Sequence, residues 1–345
     1  MTLIPSQISD VAELEELLSD PTPGVVGTMS RLQGNIVVLG AGGKMGPTLA
    51  RMAKRASVQA GSSRRVIAVS RFTQGKLRHD LEQAGVETIS CDLLDPGSLK
   101  ELPEAENIVF MAGMKFGASN NAALTWAMNV DLPAMVCRRY AGSRFIAFST
   151  GNVYPLTPVT SGGSLETDDP GPVGEYAMSC LGRERVFEYY AALHQSPVSI
   201  IRLSYAVEMR YGVLLDTALK VYRGEPVNLN MGNMMAIWQG DANAQSLQAF
   251  EHASPTPNII NVTGPELLSV RQIASRFGSI FGKQITFTGE ERGVALLSCT
   301  QKAQNLFGYP TVTIDRVIEL TADWVTRAGT TLNKPTHFET TDGKF

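Results

Sequence analysis

The sequence is short of charge, short of aromatics and lacks any long apolar run. Charged residues occupy 18% of its 345 positions and aromatic residues 7%. Thirty Lys and Arg against 33 Asp and Glu leave a formal charge of −3. The basic residues are scattered, which removes the electrostatic footprint of a nucleic-acid binder and leaves a small molecule as the expected partner. Nothing approaches the roughly 18 uninterrupted apolar residues of a membrane span. Cys91, Cys137, Cys180 and Cys299 have no CxxC spacing, and they form no metal-ligand pattern with His79, His194, His252 or His337. Reduced thiols, no metal and a cytoplasmic location are therefore expected. Residues 1–20 carry Asp10, Glu13, Glu15 and Glu16 without a basic start or a long apolar stretch, which is not the pattern of a signal peptide.

What is present is enough apolar material, 43% of the residues, for a large core. Val11, Leu14, Leu17 and Leu18 fall at helical spacing, and Pro21, Pro23 and Gly24 break the pattern. From Asn35 onward, apolar runs at 36–39, 66–69, 108–110, 145–148 and 198–201 alternate with longer helical stretches. That alternation predicts right-handed βαβ units and a doubly wound parallel sheet buried on both faces. After Leu203 the rhythm loosens around Pro226, Pro255, Pro257 and Pro265, with helical stretches near 269–281 and 314–327 and a polar tail. The expected α/β organisation is a helical extension over 1–33, a nucleotide-binding domain over 34–205, and a mainly substrate-binding lobe over 206–345.

Gly40, Gly43 and Gly46 form GxxGxxG directly between an apolar strand and a helical stretch. Glycines so placed let the backbone approach a pyrophosphate, whose charge sits at the helix N-terminus. This is the glycine signature of a Rossmann dinucleotide site, with Lys44 and Met45 inside it. At the end of the second strand, where an NAD site usually has Asp or Glu, this chain has Ser70-Arg71. Arg71 suits a 2′-phosphate and Lys44 adds a second cation, so NADP is preferred over NAD. Asp92-Leu93 follows the third strand, where Asp92 suits an adenine amino group or, alternatively, a helix cap before Pro96.

Several separated motifs then resemble the extended short-chain dehydrogenase/reductases, the family of NAD(P)-dependent sugar epimerases and dehydratases, over roughly residues 34–327. Met111-Ala112-Gly113-Met114-Lys115-Phe116-Gly117 resembles the segment after the fourth strand, where the family places a lysine beside the cofactor. Asn129 looks like the family's helix asparagine. Phe148-Ser149-Thr150-Gly151-Asn152-Val153-Tyr154 is similar to the strand end whose hydroxyl touches the reacting carbon's oxygen, which implies Thr150, with Ser149 and Asn152 beside the substrate. Trp238-Gln239-Gly240-Asp241 and Ile260-Asn261-Val262-Thr263-Gly264 are similar to architectural landmarks.

The family's YxxxK matches Tyr176-Ala177-Met178-Ser179-Cys180, with cysteine in place of lysine. An unassisted phenol, with a pKa of about 10, is ionised in only about one molecule in a thousand at neutral pH. Three other cations are open: the oxidised nicotinamide, Lys115 from the opposite wall, which ranks first, or Arg183, seven residues after Tyr176 on nearly the same helical face. A reactive Cys180 and a purely structural Tyr176 are the competing readings. A diphosphate-clamping arginine is also missing, since Met234 stands at its place, and Tyr205 replaces an asparagine. Arg210 and Tyr211 are alternative contacts for a smaller anion.

The resemblance implies hydride transfer at the hydroxyl of a sugar, sugar acid or sugar nucleotide, by an oxidoreductase, epimerase or dehydratase with Tyr176 as acid/base. A homodimer through helices near 122–140 and 173–190 is also implied. The alternatives are a silent NADP binder that reports redox state to a partner, and a structural oligomer with a vestigial site.

Overall fold

The computed structural model describes residues 4–73, 75–115, 117–118 and 120–343. Apolar runs become strands β1 (Ile36–Leu39), β2 (Val66–Ser70), β3 (Glu87–Ser90), β4 (Asn107–Phe110), β5 (Arg144–Thr150), β6 (Val198–Leu203) and β7 (Asn258–Val262). They pair in the order β3-β2-β1-β4-β5-β6-β7, every pairing parallel. The order reverses between β1 and β4. Connections leave the two strands toward opposite faces there, so a crevice opens at their C-terminal ends. β1 and β4 are buried along their whole length, which is why each reads as an unbroken apolar run rather than an alternation.

Three helices precede or follow β1: α1 (Val11–Leu18), α2 (Pro23–Arg31) and α3 (Gly46–Gln59). Helix α2 overturns the expectation that Pro23 and Gly24 end helical structure. Pro23 sits in the first turn, where a missing N–H costs nothing, and the Thr22 hydroxyl caps it by accepting from Val25 N at 3.4 Å. The extension is also not a separate unit. Arg51 of α3 pairs with Glu15 at 3.0 Å and with Glu16, and Arg55 pairs with Glu16 at 2.9 Å and Asp20 at 3.1 Å.

Farther along lie α4 (Leu132–Arg139), α5 (Gly174–His194), α6 (Val213–Arg223), α7 (Gln239–Gln248), α8 (Val270–Phe281) and α9 (Ile314–Thr326). Helices α6, α8 and α9 share the apolar core of the lobe, with Met234, Phe277 and Trp324 inside it. The boundary drawn at residue 205 is crossed, because α7 and β7 return to the nucleotide-binding layer. In α7, Gln239 and Asn243 donate to the buried Thr48 hydroxyl of α3 at 3.1 and 3.0 Å. A helix with such polar residues looks solvent-facing in one dimension and is buried in three. The polar tail, too, is packed rather than loose: Phe338 is buried in the lobe core, and Lys220 pairs with Glu339 at 3.3 Å.

Beneath the crevice runs a buried polar network. Arg202 of β6 donates to Glu184 of α5 through Nε and Nη2 at 3.1 and 2.8 Å, and its Nη1 donates to the Tyr154 hydroxyl at 2.7 Å. Ser149 Oγ donates to the same carboxylate at 2.5 Å, and Tyr154 donates to Asn261 Oδ1 at 2.9 Å. The network thereby ties β5, α5, β6 and β7 together under the crevice. The Arg202 and Glu184 side chains are 2% and 0% exposed, so removing one partner strands the other's charge in the core. Arg202→Met is expected to destabilise the chain by about 3–5 kcal/mol, and Arg202→Met with Glu184→Met by less, as read by denaturant unfolding.

Candidate active site

The loop after β1 is built for close approach. Gly40 has φ +86°, and a Cβ there would lie 2.5 Å from Ala112 N; one on Gly46 would lie 2.5 Å from Ala41 O. Only glycine allows that packing. No side chain caps α3, whose N-cap is Met45, so the amide groups of its first turn are left for an anion from outside. Gly42 abuts the Ser70 hydroxyl, which places the end of β2 and the exposed Arg71 beside the loop.

The segment after β4 is held by one side chain. Asn129 lies in a π-helical turn, Ala127–Asp131, a geometry that widens the helix and re-aims a residue. Its Oδ1 accepts from Met114 N at 2.9 Å and its Nδ2 donates to Met114 O at 3.0 Å and to the Ser179 hydroxyl at 2.9 Å. Arg183 Nη2 donates to the same Oδ1 at 2.6 Å, while Nη1 donates to Phe148 O at 2.7 Å. These bonds fix the Lys115 segment against α5 and against the end of β5.

A cavity of about 280 Å³ opens between the loop, β5, α5 and the lobe. Gly40, Gly43, Lys44, Met45, Gly46, Gly113, Lys115, Ser149, Thr150, Asn152, Tyr176, Arg183 and Tyr211, each singled out in the sequence, line it. Ala112 is buried behind Gly40, and Arg71, Asp92 and Leu93 stand outside the cavity. Asp92 accepts from Leu94 N at 3.1 Å in a tight turn, and it is Asp95, not Asp92, that caps the next helix through Ser98 N at 2.9 Å. Phe116, within the resembling segment, lies outside the described residues.

Tyr176, Thr150 and Cys180 meet inside the cavity. The Tyr176 side chain is hydrogen-bonded to Thr150 and to Cys180, and the Lys115 ammonium lies 5.7 Å from the Tyr176 ring centroid. Burial pushes the Tyr176 phenol well above its ordinary range, more than the Arg183 charge and the Thr150 bond pull it down. Burial likewise lowers the Lys115 ammonium to about 8, and it raises the Cys180 thiol, which therefore stays protonated and weakly nucleophilic.

Two expectations need correction. Lys44 does not join Arg71 at a 2′-phosphate: its Nζ donates to Ala206 O at 2.7 Å and lies 4.1 Å over the Tyr211 ring, on the lobe side. Arg210 does not face the cavity, because Glu208 and Glu15 hold it at 3.2 and 2.9 Å. Arg183 is anchored through the Asn129 and Phe148 bonds, so it contributes fixed charge rather than a mobile contact. Sequence reasoning missed Ser204 and Thr336, both in the wall; Thr336 arrives on the tail, where no local motif marks it.

A doubly wound sheet with a glycine-rich loop at its switch point and a tyrosine bonded to a threonine on the facing strand end defines a nucleotide-dependent enzyme class acting on hydroxyls. The model of the NAD dependent epimerase/dehydratase family matches residues 36–210, half of the chain, and the chain belongs to that family. No curated protein matches it. Among solved structures, UDP-glucose 4-epimerase from Thermotoga maritima with UDP-glucose is similar at 18% identity and TM-score 0.70, over 85% of this chain and 99% of that one. UDP-glucuronic acid 4-epimerase from Bacillus cereus in complex with NAD is similar at 19% identity and TM-score 0.70, with the same coverage. Pal from Bacillus thuringiensis is similar at 17% identity and TM-score 0.69, again over 85% and 99%. These likenesses show the shared fold.

Proposed function

We propose that this chain binds a nicotinamide dinucleotide and carries out hydride transfer at the hydroxyl of a sugar or sugar derivative, as an epimerase, dehydratase or oxidoreductase. The observation that carries the reading is the Tyr176 phenol, bonded to Thr150 and faced by the Lys115 ammonium, in the cavity that begins at the glycine loop. The loop fits the cofactor's pyrophosphate: Gly40, Gly43, Met45 and Gly46 present backbone at an uncapped helix start, with no side chain in the way. When bound, the nicotinamide supplies the hydride acceptor and donor.

The chain's own residues handle the proton. The Tyr176 phenol is protonated at rest, which makes it an acid toward a forming alkoxide; in the other direction it accepts the substrate hydroxyl's proton only after giving up its own, as the phenolate that the Lys115 charge favours. Thr150 orients the phenol, and Ser149 is committed to Glu184 and so holds the end of β5 in place. Lys115 takes the part of the lysine that Cys180 replaces, reaching Tyr176 across the cavity rather than along its helix. A buried Ser204 hydroxyl without a partner among the described residues supports a hydroxyl-rich ligand.

Arg71, exposed beside the loop, supports NADP over NAD. Exposed Trp126 on one side and Met178, Tyr189 (63% exposed) and Leu193 (57% exposed) on α5 support a homodimer through this face; molar mass by light scattering, at twice the 37.2 kDa chain, checks it. The alternative of a silent NADP binder draws support from the absent helix lysine and the strongly protonated Tyr176.

The deciding experiment follows nicotinamide absorbance at 340 nm with NAD and NADP against UDP-sugars and sugar acids. Net reduction of the cofactor, or conversion of the sugar seen by NMR with the cofactor returned to its oxidised form, supports the reading; tight binding with neither under any pairing supports the silent binder. In the active pairing, Tyr176→Phe is expected to lower kcat by about 10²–10⁴-fold. The Lys115 ammonium is present below about pH 8 and lost above it, so kcat falls as pH rises through that value. In Lys115→Met this limb disappears; a limb that persists removes Lys115 from the mechanism. Arg71→Glu is expected to weaken NADP binding by tenfold or more while changing NAD binding little, as read by calorimetry, and equal losses for both overturn the 2′-phosphate assignment.

A further inference from the structure

Lys44 is a half-buried lysine in the glycine loop whose side chain leaves the loop. It crosses to the lobe side of the cavity, where Nζ donates to the Ala206 carbonyl at 2.7 Å and covers the Tyr211 ring at 4.1 Å. Among the described residues no carboxylate forms an ion pair with it. Glu208 is taken up by Arg210 at 3.2 Å, and one oxygen of Asp216 accepts from Thr336 N and Oγ1 at 2.8 and 2.6 Å. Among the described residues the cavity wall holds Lys44, Lys115 and Arg183 and not one acid.

Keeping an ammonium buried against a single neutral carbonyl and a ring is costly, and burial draws Lys44 down to about 7, with Glu208 and Asp216 raising it and Arg210 and Lys115 lowering it further. A ligand anion in place of the Ala206 carbonyl adds a charge–charge attraction that a neutral carbonyl cannot supply. Among the described residues the lobe contributes no cation to the cavity wall, and Arg210 is tied to Glu15 and Glu208. Thr336, delivered by the C-terminal tail and donating to Asp216, closes the same wall.

We propose that Lys44 Nζ anchors an anionic group of the substrate, a phosphate or a carboxylate on the sugar, rather than any part of the cofactor. The identification of that ligand as a substrate rests on the hydride-transfer reading; the anion site itself does not.

The test is calorimetric titration of the protein saturated with NADP, or with NAD if that nucleotide binds more tightly, using UDP, UDP-glucuronic acid, glucuronate and uncharged glucose. Wild type is compared with Lys44→Met, which keeps most of the aliphatic stem, and with Lys44→Gln, so that a failure of one variant to fold leaves the other; thermal unfolding confirms folding. At least one anionic probe is expected to bind wild type tenfold or more tightly than both variants, while glucose does not distinguish them and nucleotide affinity moves less than about twofold. Discrimination with UDP but not glucuronate assigns a phosphate, and the converse a carboxylate. The proposal is overturned if no anion distinguishes wild type from the variants, or if nucleotide affinity falls as far as anion affinity, which gives the lysine to the cofactor. None of these readouts needs turnover, so a chain without activity still passes or fails, and cofactor reduction together with sugar conversion by NMR reports on the hydride-transfer reading separately.

Discussion

One carboxamide organises the active site. Asn129 bonds both backbone groups of Met114, the Ser179 hydroxyl and the Arg183 guanidinium. Three elements converge on it: the segment carrying Lys115, the helix carrying Tyr176 and, through Arg183 and the Phe148 carbonyl, the strand carrying Thr150. A buried amide has both donors and acceptor to place, and satisfying all of them at once leaves these elements a single relative position. The tyrosine, threonine and lysine separated by tens of residues therefore meet with defined geometry. Gly113 belongs to the same arrangement, since a Cβ there would lie 2.4 Å from Arg183 Nη2.

Around that clamp the charges are sorted by sign. Acids lie beneath the cavity or behind it: Glu184 with Arg202, Glu208 with Arg210, Asp216 with Thr336. The wall keeps the cations and excludes the acids, which suits ligands rich in phosphate or carboxylate. Burial then works in opposite directions on the phenol and the ammonium that face each other, holding Tyr176 protonated and making Lys115 easier to discharge. The departure at Cys180 changes the direction from which a cation approaches the tyrosine, from along the helix to across the cavity.

Much of the fold was legible in one dimension. β1, β2, β4, β5 and β6 lie in a sheet covered on both faces, so each is a nearly continuous apolar run. The glycine loop is legible because close backbone contact admits no other residue at Gly40 or Gly46. Helices near 269–281 and 314–327 were read within a residue or so because their apolar stripes face one core. Harder elements had a different chemistry. Helix α2 begins with a proline that ordinarily signals a break, and α7 buries Gln239, Asn243 and Asp241 by bonding them, Asp241 to Thr311 and Val312 at 2.6 and 3.0 Å.

By itself the sequence determined the layered fold and the place of the glycine loop between the first strand and its helix, because these depend on local periodicity and on spacing within single strand-to-helix units. Tertiary structure alone decided where the cations go. Lys44 and Arg71 are near each other in sequence and lie on opposite sides of the loop, and Arg210 is spent on an N-terminal helix 195 residues away. A long charged side chain chooses its partner by distance and burial in three dimensions, and neither quantity is written in the spacing of residues along a chain.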